Sequence, residues 1–395
     1  MKDTHPTSAR AADSPSLAEL ALVFLKLGTV AFGGPAAHIA MMEEEFVRRR
    51  GWLTSQEFLD RLAAANLIPG PSSTEMAIFI GFVKRGWRGL LIAGCCFIIP
   101  AAVLVTLIAA VYVRYGSMPR VAGVLYAVKP VVIAVIAQAV WNLGRSAIKG
   151  VWLGVVGVFS AAAYALHAHE LAVLAAAGVA ATVPVWSTLW SGLRRRFDRG
   201  APAASFGVPL FGMSLAASSS AAPFGLWRLF LTFAKIGSVL FGSGYVLLAF
   251  LRSDFVDRLH WLTEKQLLDS VAVGQVTPGP VFTTATFIGY LLDGIPGAAV
   301  ATIAIFLPAF LLVAVSGPLI SRIRRSPIAS RFLDGVVVAS LALMGVVAWQ
   351  LGRAAIVDIT TLAIVLVSAV LLFRFRVNSA WLVLGAALVG LFRWT

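Results

Sequence analysis

Two tripeptides, Pro69-Gly70-Pro71 and Pro278-Gly279-Pro280, interrupt apolar stretches and are bordered by small hydroxyl side chains. Ser72, Ser73, Thr74 and Glu75 follow the first; Thr277, Thr283, Thr284 and Thr286 surround the second. Proline removes a backbone donor and clashes with the preceding turn, so prolines flanking a glycine break a helix. A break exposes a fresh half-helix N-terminus, whose free N–H groups and positive dipole end attract an anion, whereas unwound carbonyls suit a cation. The hydroxyls can donate to oxyanion oxygens. FGGP at 32–35 (Phe32, Gly33, Gly34, Pro35) and FGSG at 241–244 (with Gly242 and Gly244) offer further bare N–H groups.

Fixed charge near these breaks is sparse. Lys26 and Lys235 occupy matching places in apolar stretches, and Arg145 and Arg353 matching places at span ends. An intramembrane base costs about 2.5 to 3.5 kcal/mol unless it is partnered or hydrated. An anionic ligand would partner the lysines; snorkelling to the interface is the competing reading, and the stronger one for the arginines. Glu75 either carries a coupling proton or pairs with a base such as Lys26. His38, present in the first half only, also reads as a satisfied interior histidine. His167, His169 and Glu170 resemble a metal cluster but lack a further ligand, so no metal or cofactor is expected. Trp52 and Trp261 read as interface anchors, with Thr54 and Thr263 as helix caps.

The elements that position these residues must lie in a membrane. The chain of 395 residues is 59% hydrophobic and 13% charged, with a mean hydropathy of +0.89, far from a soluble domain. Apolar runs at 90–113, 122–141, 150–166, 171–190, 229–250, 297–320, 332–349, 356–373 and 380–394 are mostly near span length. Residues 1–16 lack the features of a cleaved signal and read as a disordered tail. The net charge of +14 sits in short connections, as expected of cytoplasmic loops, so nucleic acid is not an expected partner. Cys95 and Cys96 are adjacent in an apolar run and read as small packing residues. No nucleotide loop, nucleophile elbow or zinc-protease motif occurs, and no enzyme is expected.

The chain repeats itself. FLKLGTVAFGGP at 24–35 returns as FAKIGSVLFGSG at 233–244, a shift of 235 − 26 = 209 residues. The shift superposes Asp60 on Asp269, Glu75 on Thr284, and one Pro-Gly-Pro on the other. Beyond one deletion it becomes 349 − 141 = 208 and aligns WNLGR at 141–145 with WQLGR at 349–353. Basic KRGWR at 84–88 falls inside by the positive-inside bias, while its counterpart DGIPG at 293–297 carries no base and falls outside. The expected fold is an all-α integral membrane protein of two homologous halves arranged as inverted-topology repeats. It has about 10 to 13 transmembrane segments, with broken or re-entrant helices. The expected division is a tail at 1–16, a first repeat at 17–190, a basic cytoplasmic linker at 191–223 and a second repeat at 224–395. In hydrocarbon, irregular backbone survives only where protein or a hydrated cavity surrounds it, so both breaks should line a cavity.

FGGPAAHIAMMEEEFVRRRGWLT, NLIPGPSSTEMAIFIG, FGSGYVLLAFLRSDFVDRLHWLT and GQVTPGPVFTTATFIGY together resemble the long-chain, two-domain chromate ion transporter family of bacteria, over residues 20–394. The resemblance implies a multi-pass inner-membrane protein that extrudes chromate, a tetrahedral dianion, and confers resistance to it. Sulfate is the expected analogue or competitor, and the other partners are the lipid bilayer and a second copy in a homodimer. By motif, it implicates Phe32, Gly33, Gly34, Pro35 and His38, then Pro69, Gly70, Pro71, Ser72, Thr74 and Glu75. In the second half it implicates Gly242, Gly244, Gln275, Pro278, Gly279, Pro280 and Thr284. Ser72 departs from the asparagine often found in similar sequences. Moving a dianion out of a negative interior gains about 4.6 kcal/mol per 100 mV, a concentration ratio of about 10³. A potential-driven or proton-coupled exporter is the leading expectation; a sulfate-type permease and an anion channel are the alternatives.

Overall fold

The computed structural model describes residues 15–32, 34–116, 118–197, 223–241 and 246–393, without the side chains of 36, 185–197, 316–325 and 393. Regular structure among the described residues is all helical. The first repeat runs α1 (Leu17–Val30), α2 (Gly34–Glu43), a π-helical stretch (Glu44–Arg49), α3 (Ser55–Ala65), α4 (Ser72–Tyr115), α5 (Pro119–Ala147), α6 (Val151–Ala165) and α7 (Glu170–Phe197). The second repeats that order with α8 (Leu226–Val239), α9 (Leu247–Leu251), a π-helical stretch (Arg252–Arg258), α10 (Glu264–Val276), a 3-10 turn (Val281–Thr283), α11 (Thr284–Arg325), α12 (Pro327–Ala355), α13 (Ile359–Phe373) and α14 (Ser379–Arg393). Helix α7 extends into the expected linker through residue 197. Residues 1–14 of the expected tail at 1–16 and 198–222 of the expected linker at 191–223 lie outside the described residues.

Local chemistry sets these boundaries. Thr54 and Thr263 cap α3 and α10 through reciprocal capping boxes with Glu57 and Gln266. Trp52 is buried and stacks on Phe46, so core packing replaces the expected interface anchoring there. α1 and α8 end where the chain reaches FGG and FGSG. At 14 residues each they rise about 21 Å, short of the roughly 30 Å hydrocarbon core. The apolar run at 229–250 is therefore split between α8 and α9 and is not a single span.

The expected loops KRGWR and DGIPG are instead two-residue hinges within α4 and α11. Arg85 and Gly86 leave helical geometry, as do Asp293 and Gly294, and both glycines adopt φ of 56°. Each long helix thereby folds into an antiparallel hairpin. Its arms approach so closely that a Cβ on Gly81 would lie 2.3 Å from the Gly89 carbonyl oxygen. Among the described residues, four helical segments are long and apolar enough to cross a membrane: Ser72–Tyr115, Pro119–Ala147, Val281–Val315 and Pro327–Ala355. Shorter apolar helices are Val151–Ala165, Glu170–Pro184, Ile359–Phe373 and Ser379–Phe392.

The repeats interlock. α1 packs on α4 and α8 on α11 within each repeat, and α4 meets α11 at the centre. The closing helices cross over: α6 and α7 pack on α12, while α13 and α14 pack on α5. The equivalent helices α5 and α12 run antiparallel. Lys149, just past the end of α5, pairs with Asp334 near the start of α12 at 2.7 Å, and Tyr126 near the start of α5 bonds Asp358, just past the end of α12.

Candidate functional site at the paired helix breaks

Each break is tied to the other repeat. The Gly70 N–H donates to the Leu240 carbonyl at 2.7 Å, and the Gly279 N–H donates to the Ala31 carbonyl at 2.9 Å. Leu240 and Ala31 are the C-caps of α8 and α1. Carbonyls orphaned at two half-helix ends are thus satisfied by amides freed at two breaks. Both glycines hold positive φ, 144° at Gly70 and 92° at Gly279. A Cβ on Gly279 would meet the Ala101 Cβ at 2.6 Å; one on Gly70 would meet Glu75 Oε1 at 2.5 Å. The glycine amides are consequently engaged between repeats. The N–H groups left for a ligand are those of the first turns that follow, at Ser72 and Ser73 and at Val281 and Phe282, which have no backbone acceptor among the described residues.

The side chains divide by repeat. His38, 1% exposed, donates from Nε2 to the Ala31 carbonyl at 3.0 Å. That acceptor-only partner leaves Nδ1 to accept from the Ser73 hydroxyl at 3.3 Å. Ala31 therefore receives two hydrogen bonds, one from each repeat. Glu75 is fully buried, and among the described residues neither its carboxylate oxygens nor the buried Thr74 hydroxyl has a hydrogen-bond partner. In the second repeat the hydroxyl hydrogens are used locally. Thr277, Thr283 and Thr284 donate to the carbonyls of Val273, Pro280 and Val281, and Thr286 bonds Thr302. Those threonines offer a ligand lone pairs rather than protons, unlike the sequence expectation.

Other predicted residues fall around this junction. Pro69, Pro71, Pro278 and Pro280 frame the two glycines, Ser72 is buried beside Pro71, and Gln275 is half-buried in the last turn of α10. Phe32 is exposed and Pro35 half-buried beside Gly34. Gly33, Gly242 and Gly244 lie outside the described residues. Lys26 is exposed on α1. Lys235 is held by carboxylates, contacting Asp254 and reaching Glu170 at 3.4 Å. Ser253 and Arg258 complete that cluster.

A cavity of about 310 Å³ is lined in part by Asn66, Phe241, Val246, Ser146, Lys149 and Asp334. Asn66 caps α3 immediately ahead of the first Pro-Gly-Pro, and Phe241 begins FGSG. A larger cavity, about 620 Å³, lies between α5 and α12 with Arg353 among otherwise mostly apolar residues and touches neither break. The smaller one lies between Asn66, three residues ahead of the first break, and the FGSG turn of the second repeat, with the Lys149–Asp334 pair in its wall.

The sequence model of the chromate transporter family matches residues 18–182 and, a second time, 227–391. The chain belongs to the chromate transporter family. A chromate transport protein of Cupriavidus metallidurans is 34% identical over 392 residues, covering 98% of this chain and 96% of the relative. A probable chromate transport protein of Synechococcus elongatus is 30% identical over 386 residues, 96% of each chain. A chromate transport protein of Pseudomonas aeruginosa is 30% identical over 399 residues, 98% of this chain and 95% of its own. No solved structure matches the chain.

This chromate transporter family member also carries a charged group that sequence reasoning missed. Asp269 on α10, fully buried, pairs with Lys129 on α5 at 2.8 Å and accepts from the Tyr112 hydroxyl of α4 at 2.8 Å. The available signal was Lys129 itself, a lone base before Pro130 in the apolar run at 122–141. Asp269 had served only as a marker of the repeat.

Proposed function

We propose that this protein exports a tetrahedral oxyanion, chromate, across the bacterial inner membrane, binding it where the two Pro-Gly-Pro breaks meet. The observation that carries this reading is the reciprocal junction of Gly70 with Leu240 and Gly279 with Ala31. It holds two half-helix N-termini in one place, so their unsatisfied amides and dipole ends converge on a single doubly charged guest. Neutral relatives of the guest gain little from such a field.

The repeats are read as inverted across the membrane, so that the site can open to either face in turn. The antiparallel course of α5 and α12 supports this, as does the placement of Arg145, Lys149 and the basic 321–331 connection at one end. Glu75 gives the export reading its coupling. A carboxylate pressed against the first break and a dianion in the same small space repel each other. Binding of the anion is therefore linked to protonation of Glu75. The membrane potential drives the dianion outward whether or not a proton moves.

The deciding experiment reconstitutes the purified chain in proteoliposomes with chromate on one side and an imposed potential, with sulfate as competitor. Saturable, potential-dependent chromate flux is expected. Absence of flux, or flux that rises linearly with concentration without saturation, would contradict a binding-site exporter.

A further inference from the structure

The seam between α5 and α12 carries its own measure of depth. The Lys149–Asp334 pair closes one end of it and the Tyr126–Asp358 bond the other. Asp334 and Asp358 are separated by 358 − 334 = 24 residues, about 36 Å at the α-helical rise, so these contacts bracket a hydrocarbon core of roughly 30 Å. Val346 on α12 and Gln138 on α5 lie midway between them, and the 208-residue shift makes the two equivalents. Mid-membrane therefore falls at this level of the seam.

The 620 Å³ cavity occupies one half of that depth. It reaches from Gly345, beside the middle, to Ile356, a run of 356 − 345 = 11 residues, or about 16 Å. One leaflet of hydrocarbon is about half of the 30 Å core, so the cavity is as deep as a single lipid tail. Ala137 and Val140 of α5 and Gly345 and Ala348 of α12 give it an apolar wall. There is room at its floor: the nearest neighbour of a Cβ on Gly345 would be Val140 Cγ1 at 4.0 Å.

Arg353 stands in the same wall, 353 − 346 = 7 residues outward of the middle, about 10 Å and short of the interface. It is exposed, and among the described residues it makes no ion pair or hydrogen bond. A base at this depth is costly unless it is partnered or reaches the headgroups. The positive-inside bias does not explain it, because Arg353 lies at the end of α12 away from the basic 321–331 connection. The anion within its reach at that interface is a phosphate, which a guanidinium binds through two parallel hydrogen bonds.

We propose that this cavity binds one anionic phospholipid of the outer leaflet, with its phosphate on Arg353 and one acyl chain running down between the repeats to Gly345. The choice of leaflet rests on the inverted reading proposed above; the site does not. A second copy docking by the same face would bring no partner for Arg353, since the cavity wall contains no carboxylate.

Native mass spectrometry of the purified full chain, titrated with palmitoyl-oleoyl phosphatidylglycerol or phosphatidylethanolamine, tests the site. The parent should hold one phosphatidylglycerol about tenfold more tightly than phosphatidylethanolamine. Arg353→Gln should bring phosphatidylglycerol down to the level of phosphatidylethanolamine. Gly345→Leu fills the floor of the cavity and should weaken both lipids about tenfold. Arg145→Gln is the control: Arg145 is the equivalent of Arg353 in the first repeat and is not part of the wall, so lipid binding should stay at the parent level. Unchanged phosphatidylglycerol binding in Arg353→Gln overturns the site, and an equal loss in Arg145→Gln overturns the role of Arg353. Equal affinity of the parent for both lipids overturns the anionic headgroup. A dimer that disappears in Gly345→Leu while no lipid is retained gives the face to a second copy instead. Thermal unfolding checks that each variant stays folded, and if Gly345→Leu does not, the exposed Arg353→Gln carries the test. Chromate flux plays no part in this readout, so the lipid site and the export reading fail separately.

Discussion

The Gly279 amide donates to the Ala31 carbonyl at 2.9 Å, and the same bond recurs with the repeats exchanged, from Gly70 to Leu240. Each helix break is thereby anchored on the half-helix end of the opposite repeat. The two breaks form one unit, and a rotation of one repeat against the other moves both. His38 adds a third strut by donating to the same Ala31 oxygen and accepting from Ser73.

Gly279→Ala and Gly70→Ala should each cut chromate transport by about tenfold or more, because backbone strain of roughly 1 to 3 kcal/mol falls directly on the junction. A Cβ at Gly279 also lies 2.6 Å from that of Ala101. Gly51, with φ of 62° and no neighbour within 4 Å of its would-be Cβ, is the control. Gly51→Ala should leave transport near the parent level. Efflux assays normalised to protein in the membrane decide it, and parent-like flux in Gly279→Ala would count against a functional junction.

Glu75→Gln keeps the size of the side chain and removes its ionisation. Flux driven by an imposed potential should persist, while the response of flux to an imposed pH gradient should be lost. Glu75→Asp should retain that response. If Glu75→Gln follows the pH gradient as the parent does, Glu75 carries no coupling proton.

Lys235→Met leaves Asp254 with Arg258 alone and takes from Glu170 the lysine that reaches it; breaking a buried pair costs about 3 to 5 kcal/mol, and less here, because Arg258 stays and the lysine is partly exposed. Lys26, exposed on α1, lies within electrostatic reach of Glu45, which Arg49 and Arg50 already hold, and Lys26→Met should alter stability less. Thermal unfolding in detergent compares the two. Equal losses would show that the lysines play the same part.

Cysteines placed at Lys149 and Asp334 should react with impermeant reagents from the cytoplasmic face, and those at Tyr126 and Asp358 from the outside. The hinges at Lys84 and Asp293 should be tagged from opposite faces in the same way. Reaction of both hinges from one face would contradict inverted repeats.

Much of the fold was legible in the order of residues. Pro-Gly-Pro stops a helix through bonds within its own turn, Thr54 and Thr263 cap through residues three places on, and a conserved register of 209 residues exposes the duplication without any knowledge of packing. Hydropathy was less informative about length. An apolar run such as 229–250 looks the same whether it crosses the bilayer or stops halfway, and KRGWR reads as a loop although it is a hinge of two residues.

By itself, then, the sequence determined that this is a duplicated, all-helical membrane chain whose helices are broken twice at equivalent places, because those features follow from local sterics and from the exclusion of unpaired backbone from hydrocarbon. Tertiary structure alone decided that Gly279 meets Ala31, that Lys235 belongs to Asp254, and that Lys129 closes on Asp269. Such partners are far apart along the chain, and a buried amide or charge takes whichever counterpart the packing of the two repeats brings within reach.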